Sequence, residues 1–173
     1  MTAHVVGTLH LMAQQDPIRL FVAHAWQESD DYHRVFEYLE SSGKFYYRNT
    51  ARTDTRPGGG VESERAALRQ QIGAAEIVIA PTSVYRQDAP LLLFQLEHAR
   101  QNGKPVLLIK PFGVQTAVPT PVMALGDRIV EWNERELIAA IRLLARQESQ
   151  DRYDTIDFSA ADFAEFKDFK VQK

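Results

Sequence analysis

Ile77-Val78-Ile79-Ala80-Pro81 is an unbroken apolar run closed by a proline. A short run with no polar alternation reads as a strand buried on both faces, as in a parallel sheet covered by helices. Two flanking stretches repeat it: Ile18-Arg19-Leu20-Phe21-Val22-Ala23 after Pro17, and Val106-Leu107-Leu108-Ile109 before Pro111-Phe112-Gly113. Between the first two, Ser29-Asp30-Asp31 opens a helical pattern carrying Val35, Phe36 and Leu39, which Ser41-Ser42-Gly43 closes. The acids in its first turn suit the helix dipole. Residues 45–48 form a short aromatic strand. Residues 49–60 make a loop with Arg52, Arg56, Pro57 and the triplet Gly58-Gly59-Gly60, expected to be mobile or strained.

Residues 61–73 are helical in pattern, with Ala66, Leu68 and Ile72. Asp88 caps a third helix with Pro90 in its first turn, running to about Asn102, and Gly103 stops it. Beyond Pro119 and Pro121, Arg128-Ile129-Val130-Glu131 is a fifth strand. Asn133 caps a last helix through Arg146, with Leu137, Ile138, Ile141 and Leu144. Strands alternating with helices imply right-handed βαβ units. The expected fold is α/β and flavodoxin-like: a five-stranded parallel sheet, order 2-1-3-4-5, with helices on both faces. Ligands of such sheets sit beyond the carboxyl ends of the strands, which directs attention to residues 24–31, 49–60 and 81–88.

The 173 residues, 45% hydrophobic and 25% charged, suit one globular domain. Residues 1–17 are expected to be an N-terminal extension, 18–147 the domain, and 148–173 a tail that is both acidic and aromatic. The tail holds Phe158, Phe163, Phe166 and Phe169, and Ser159 is placed to cap a short helix. The net charge of −3 argues against a duplex-wrapping nucleic-acid binder. No apolar run reaches the roughly 18 residues of a membrane span, and no Lys or Arg precedes Arg19, so the start does not read as a secretory signal. A cytoplasmic protein is the simplest expectation.

With no cysteine, disulfides, thiolate zinc sites, iron–sulfur clusters and a thiol nucleophile are excluded. His4, His10, His24, His33 and His98 show no metal-ligand spacing, so no metal is expected. A phosphorylated receiver domain would need acids where His24 and Pro81 end their strands. The glycine triplet fits neither a Rossmann nor a P-loop cradle, and no GxSxG elbow occurs. Acid chemistry remains, and Glu97 is the acid singled out: with Leu92, Leu96 and Ala99 as the buried stripe, it lies at the border of that stripe, able to face a cleft.

Five motifs in order carry a family resemblance. They are Leu20-Phe21-Val22-Ala23-His24-Ala25-Trp26, Asp30-Asp31-Tyr32, Leu96-Glu97-His98-Ala99-Arg100-Gln101-Asn102-Gly103-Lys104-Pro105, Ile109-Lys110-Pro111-Phe112-Gly113 and Ile129-Val130-Glu131-Trp132-Asn133. Over residues 18 to 146 the chain resembles the bacterial TIR-like proteins, a group that includes the NAD-consuming sensor of Thoeris antiphage defence systems. The resemblance implies a catalytic glutamate on the third helix, at Glu97, and a pocket formed with the loops after the first two strands. The family often has tryptophan four residues before the glutamate, where this chain has Leu93.

The reaction implied is cleavage of the nicotinamide–ribose bond of NAD⁺, which is substrate rather than cofactor; no cofactor is expected. The leaving group is already cationic, so the carboxylate's task is to hold the ribose hydroxyls and stabilise oxocarbenium-like charge. His24, Trp26 and Asp31 are candidate substrate-binding residues, with Trp26 as an aromatic wall, His24 orienting a hydroxyl, and Arg48, Arg52 and Arg56 for the pyrophosphate. Water capture gives ADP-ribose and internal capture a cyclic isomer, a signal for a downstream effector. A homo-oligomer or filament is the expected assembly. Two alternatives stay open: a noncatalytic TIR-like self-association module, and a nucleoside deoxyribosyltransferase using a glutamate nucleophile.

Overall fold

The structure, a computed structural model, describes residues 16–148. The expected N-terminal extension and C-terminal tail, with the helix at Ser159, lie outside the described residues apart from residues 16, 17 and 148. Strands β1 (Ile18–Val22), β2 (Tyr47–Asn49), β3 (Ile77–Pro81), β4 (Val106–Ile109) and β5 (Arg128–Val130) form one sheet ordered β2-β1-β3-β4-β5, with every pair parallel. Helices α1 (Asp30–Ser41), α2 (Val61–Gly73), α3 (Val84–Gln87), α4 (Ala89–Gln101), α5 (Thr120–Met123) and α6 (Glu134–Arg146) connect them. The architecture is the flavodoxin-like one.

The period of two along each strand divides the core. Ile18, Leu20 and Val22, with Ile77, Ile79, Leu107 and Ile109, face α1 and α6 through Val35, Leu39, Leu137 and Ile141. Phe21 and Ala23, with Val78, Ala80, Val106 and Leu108, face α2 and α4 through Leu68, Ile72, Leu92 and Leu96. Each fully buried Leu, Ile or Val adds about 1.5–3 kcal/mol of transfer free energy.

Helix starts follow the caps. Ser29 accepts from the Tyr32 amide, Asp88 from that of Leu91 and Asn133 from that of Glu136. Strand β2 begins later than its aromatic run: Tyr47 is the first residue paired with β1, opposite Ile18. Phe45 instead packs into the α1/α6 core. At Gly126 the backbone passes so close to Leu108 that a Cβ would collide with that buried side chain.

Candidate functional site

Beyond β1 the chain turns through His24 and Trp26, and four buried side chains fix the turn. Trp26 N–H donates to His24 Nδ1 at 3.1 Å. That makes Nδ1 the acceptor and leaves the ring proton on Nε2, which faces Gln71 Oε1 at 3.4 Å. The same Gln71 oxygen accepts from the Arg52 amide at 2.9 Å. Gln95 brackets the turn from α4: its Oε1 accepts from His24 N–H at 3.2 Å, and its Nε2 donates to His24 O at 2.9 Å and Leu91 O at 3.0 Å. His24 is 1% exposed, and burial pushes its imidazole down to about 4, so it is neutral at pH 7.

Trp26 adopts φ 56°, rare for a bulky residue, and its ring meets His24 edge-on at 5.0 Å. It is 7% exposed, and its Nε1–H is buried with no hydrogen-bond partner among the described residues. A left-handed tryptophan with an orphan donor is the kind of outlier that clusters at functional sites. At the mouth of the turn, Tyr32 Oη accepts from Asn49 Nδ2 at 3.0 Å, and burial raises the Tyr32 phenol above its usual range. Glu28 accepts from Thr53 Oγ1 at 2.9 Å and lies 3.3 Å from His33.

The residues expected from sequence are only partly brought together. His24 and Trp26 do sit beyond β1, but the Trp26 ring belongs to the α2/α4 core and presents no open aromatic wall. Asp31 is buried and committed: it pairs with Arg34 at 2.7 Å and accepts from the Phe112 amide at 3.4 Å, joining α1 to the loop after β4. Arg48 lies within β2, opposite Arg19 of β1, rather than in the loop that carries Arg52 and Arg56. Arg52 is exposed and fixed by its backbone. Arg56 is engaged by Glu64 at 2.8 Å.

Glu97 lies on the exposed face of α4. It makes no hydrogen bond or ion pair among the described residues. The buried face of α4 contains Leu91 and Gln95 as well as Leu92, Leu96 and Ala99. Including those two turns the stripe away from Glu97, which lies about 200° around the helix from Gln95. The α4 side chain that reaches the β1 turn is therefore a neutral amide.

The loop of residues 49–60 is also more firmly held than its glycines imply. Thr50 donates through N to Leu20 O and through Oγ1 to Gln71 O, the Arg52 amide is bound, and Thr53 and Arg56 are tied to Glu28 and Glu64. Positive φ is confined to Gly59 and Gly60, at 102° and 95°, where the chain enters α2.

Gln71, Gln95, Tyr32 and Asn49 were not legible as site residues. Their one signal is a glutamine standing at an apolar-stripe position in both α2 and α4. Among the described residues, no three His, Asp or Glu side chains converge to hold a metal ion. No helix described is long and apolar enough to cross a membrane. No family model matches the chain, and no curated protein matches it in sequence.

Proposed function

We propose that the chain is a TIR-like signalling module that acts by binding and self-association, without a carboxylate of its own over the strand-end turn. The reading joins the motif resemblance to the flavodoxin-like sheet. One observation carries it: Gln95 fills the inward place on α4 while Glu97 points outward. An amide whose N–H groups are both spent on carbonyls offers no negative charge to an oxocarbenium ion. The test is NAD⁺ turnover by concentrated, assembled protein. We expect none. Cleavage that disappears in Glu97→Gln would overturn the proposal.

A second reading keeps NAD⁺ cleavage to ADP-ribose or a cyclic isomer, with antiphage signalling to an effector as its purpose. What favours it is that the Glu97 carboxylate is uncommitted and open to solvent. Such a group can serve a substrate held against α4 from outside, between two copies of the chain. This reading requires turnover that rises with assembly.

A further inference from the structure

Among the cavities on the described surface, three are told apart by their cations. Near the amino ends of the strands, a cavity of about 360 Å³ holds Arg100, paired with Asp127 at 3.1 Å, and Lys104, whose Nζ donates to Gly73 O and Ala75 O. Beside β5, one of about 590 Å³ holds Lys110, paired with Glu131 at 2.6 Å. The third, about 400 Å³, lies beyond the carboxyl ends of β3 and β4, and its cation is Arg86. Arg86 has no ion pair among the described residues, only a 3.5 Å contact from its Nη2 to Thr116 Oγ1. Asp88, the nearest carboxylate in sequence, is outside the lining and occupied as the α4 cap.

Hydroxyls surround that guanidinium. Ser83, Tyr85 and Thr116 line the cavity, and Ser83 Oγ is buried with no hydrogen-bond partner among the described residues. A buried orphan hydroxyl costs stability that a bound acceptor would recover. Pro111 and Val118 supply an apolar floor. A free guanidinium among hydroxyl donors is the donor set a phosphate dianion requires. The volume lies within the range of small-molecule sites and leaves room for a sugar beside the phosphate.

We propose that the cavity between the end of β3 and the loop after β4 binds the phosphorylated end of a sugar phosphate, with Arg86 on the phosphate and Ser83 donating to it. The site shares no residue with the β1 turn and does not rest on the function proposed above.

The full chain would be titrated with ribose 5-phosphate, ribose and inorganic phosphate, following backbone amides by NMR. Ribose 5-phosphate should shift residues 83–86 and 116–118, with ribose and inorganic phosphate each binding more weakly. Arg86→Gln, a change at an exposed residue, should weaken ribose 5-phosphate binding roughly tenfold or more. Ser83→Ala should weaken it as well, while leaving the melting temperature of the ligand-free protein unchanged or higher. Unmoved amides at millimolar ribose 5-phosphate, or wild-type affinity in Arg86→Gln, would overturn the proposal. Inorganic phosphate binding as tightly as the sugar phosphate would overturn the sugar assignment.

Discussion

His24 is a proton acceptor that the fold keeps from accepting. Its imidazole has an ordinary value of 6.5 and is held at about 4 by burial. Unfolded chains therefore take up a proton from pH 6.5 downward that the folded chain refuses until about 4. The stabilising contribution is full above 6.5 and lost as pH falls through that window, by about 3 kcal/mol in all. His98, lowered by burial and by the Arg69 charge, adds to the loss in the same direction. Urea unfolding at pH 7 and 4.5 should thus give a steep loss that flattens in His24→Gln. The His24 ring should remain neutral by NMR at pH 5.5, and titration near 6.5 would contradict the account. Gln95 allows a complementary test. Gln95→Glu would set a carboxylate against two carbonyls at a site with no exposure. The variant should lose about 3 kcal/mol or more at pH 7 and less at pH 5, where the protonated acid can again donate. Glu97→Gln, on the outer face of the same helix, should leave stability within about 0.5 kcal/mol of wild type.

At the scale of elements, helices α1, α4 and α6 were legible because their starts are written in polar capping residues. Asp88 shows what such a cap contributes. It closes α3 and opens α4, its side chain accepting from the Leu91 amide at 3.0 Å. Asp88→Ala should cost about 1 kcal/mol, read as a lower melting temperature. An unchanged melting temperature would mean water satisfies that amide equally well. Strands β3 and β4 were legible from their unbroken apolar runs, and β1 from a run broken only at Arg19. Strand β2 was misplaced because aromatic residues signal burial as well as pairing, and Phe45 is buried without being paired. The four-residue helices α3 and α5 are too short to show a helical period. The inward glutamines were missed for a related reason. A polar side chain in a stripe reads as solvated until backbone groups arrive to meet it, and for Gln95 those groups come from His24 in the turn after β1, 71 residues away. The same blindness put Glu97 at the edge of the buried face: without Gln95 and Leu91, the stripe appears rotated towards it.

For the whole molecule, the distribution of uncovered apolar side chains bears on association. Val61, 63% exposed, opens α2 and Leu143, 40% exposed, lies on α6, while Tyr46, 60% exposed, stands just before β2 at one edge of the sheet. Val114 at 46% and Phe112 at 45% stand on the loop after β4, towards the β5 edge, with Met123 exposed on α5. Phe112 is already covered on one side by the Arg34 guanidinium, 3.6 Å from its ring centre, whereas Val114 has no such cover. Unlike patches at opposite edges favour a head-to-tail contact, which repeats as a filament when the rotation does not close. Association through these patches should raise the weight-average mass with concentration in sedimentation velocity. Val114→Lys should abolish the rise, since it would bury an unpaired charge at the contact, without lowering the melting temperature of an exposed position. The experiment also separates the two functional readings. If mass rises while NAD⁺ remains intact, the module works by assembly. If turnover climbs with mass and falls with it in Val114→Lys, the exposed Glu97 carboxylate is acting across the contact. A chain that stays monomeric over a thousandfold range of concentration (on the order of 10³ in mass-action terms) would remove the self-association reading altogether.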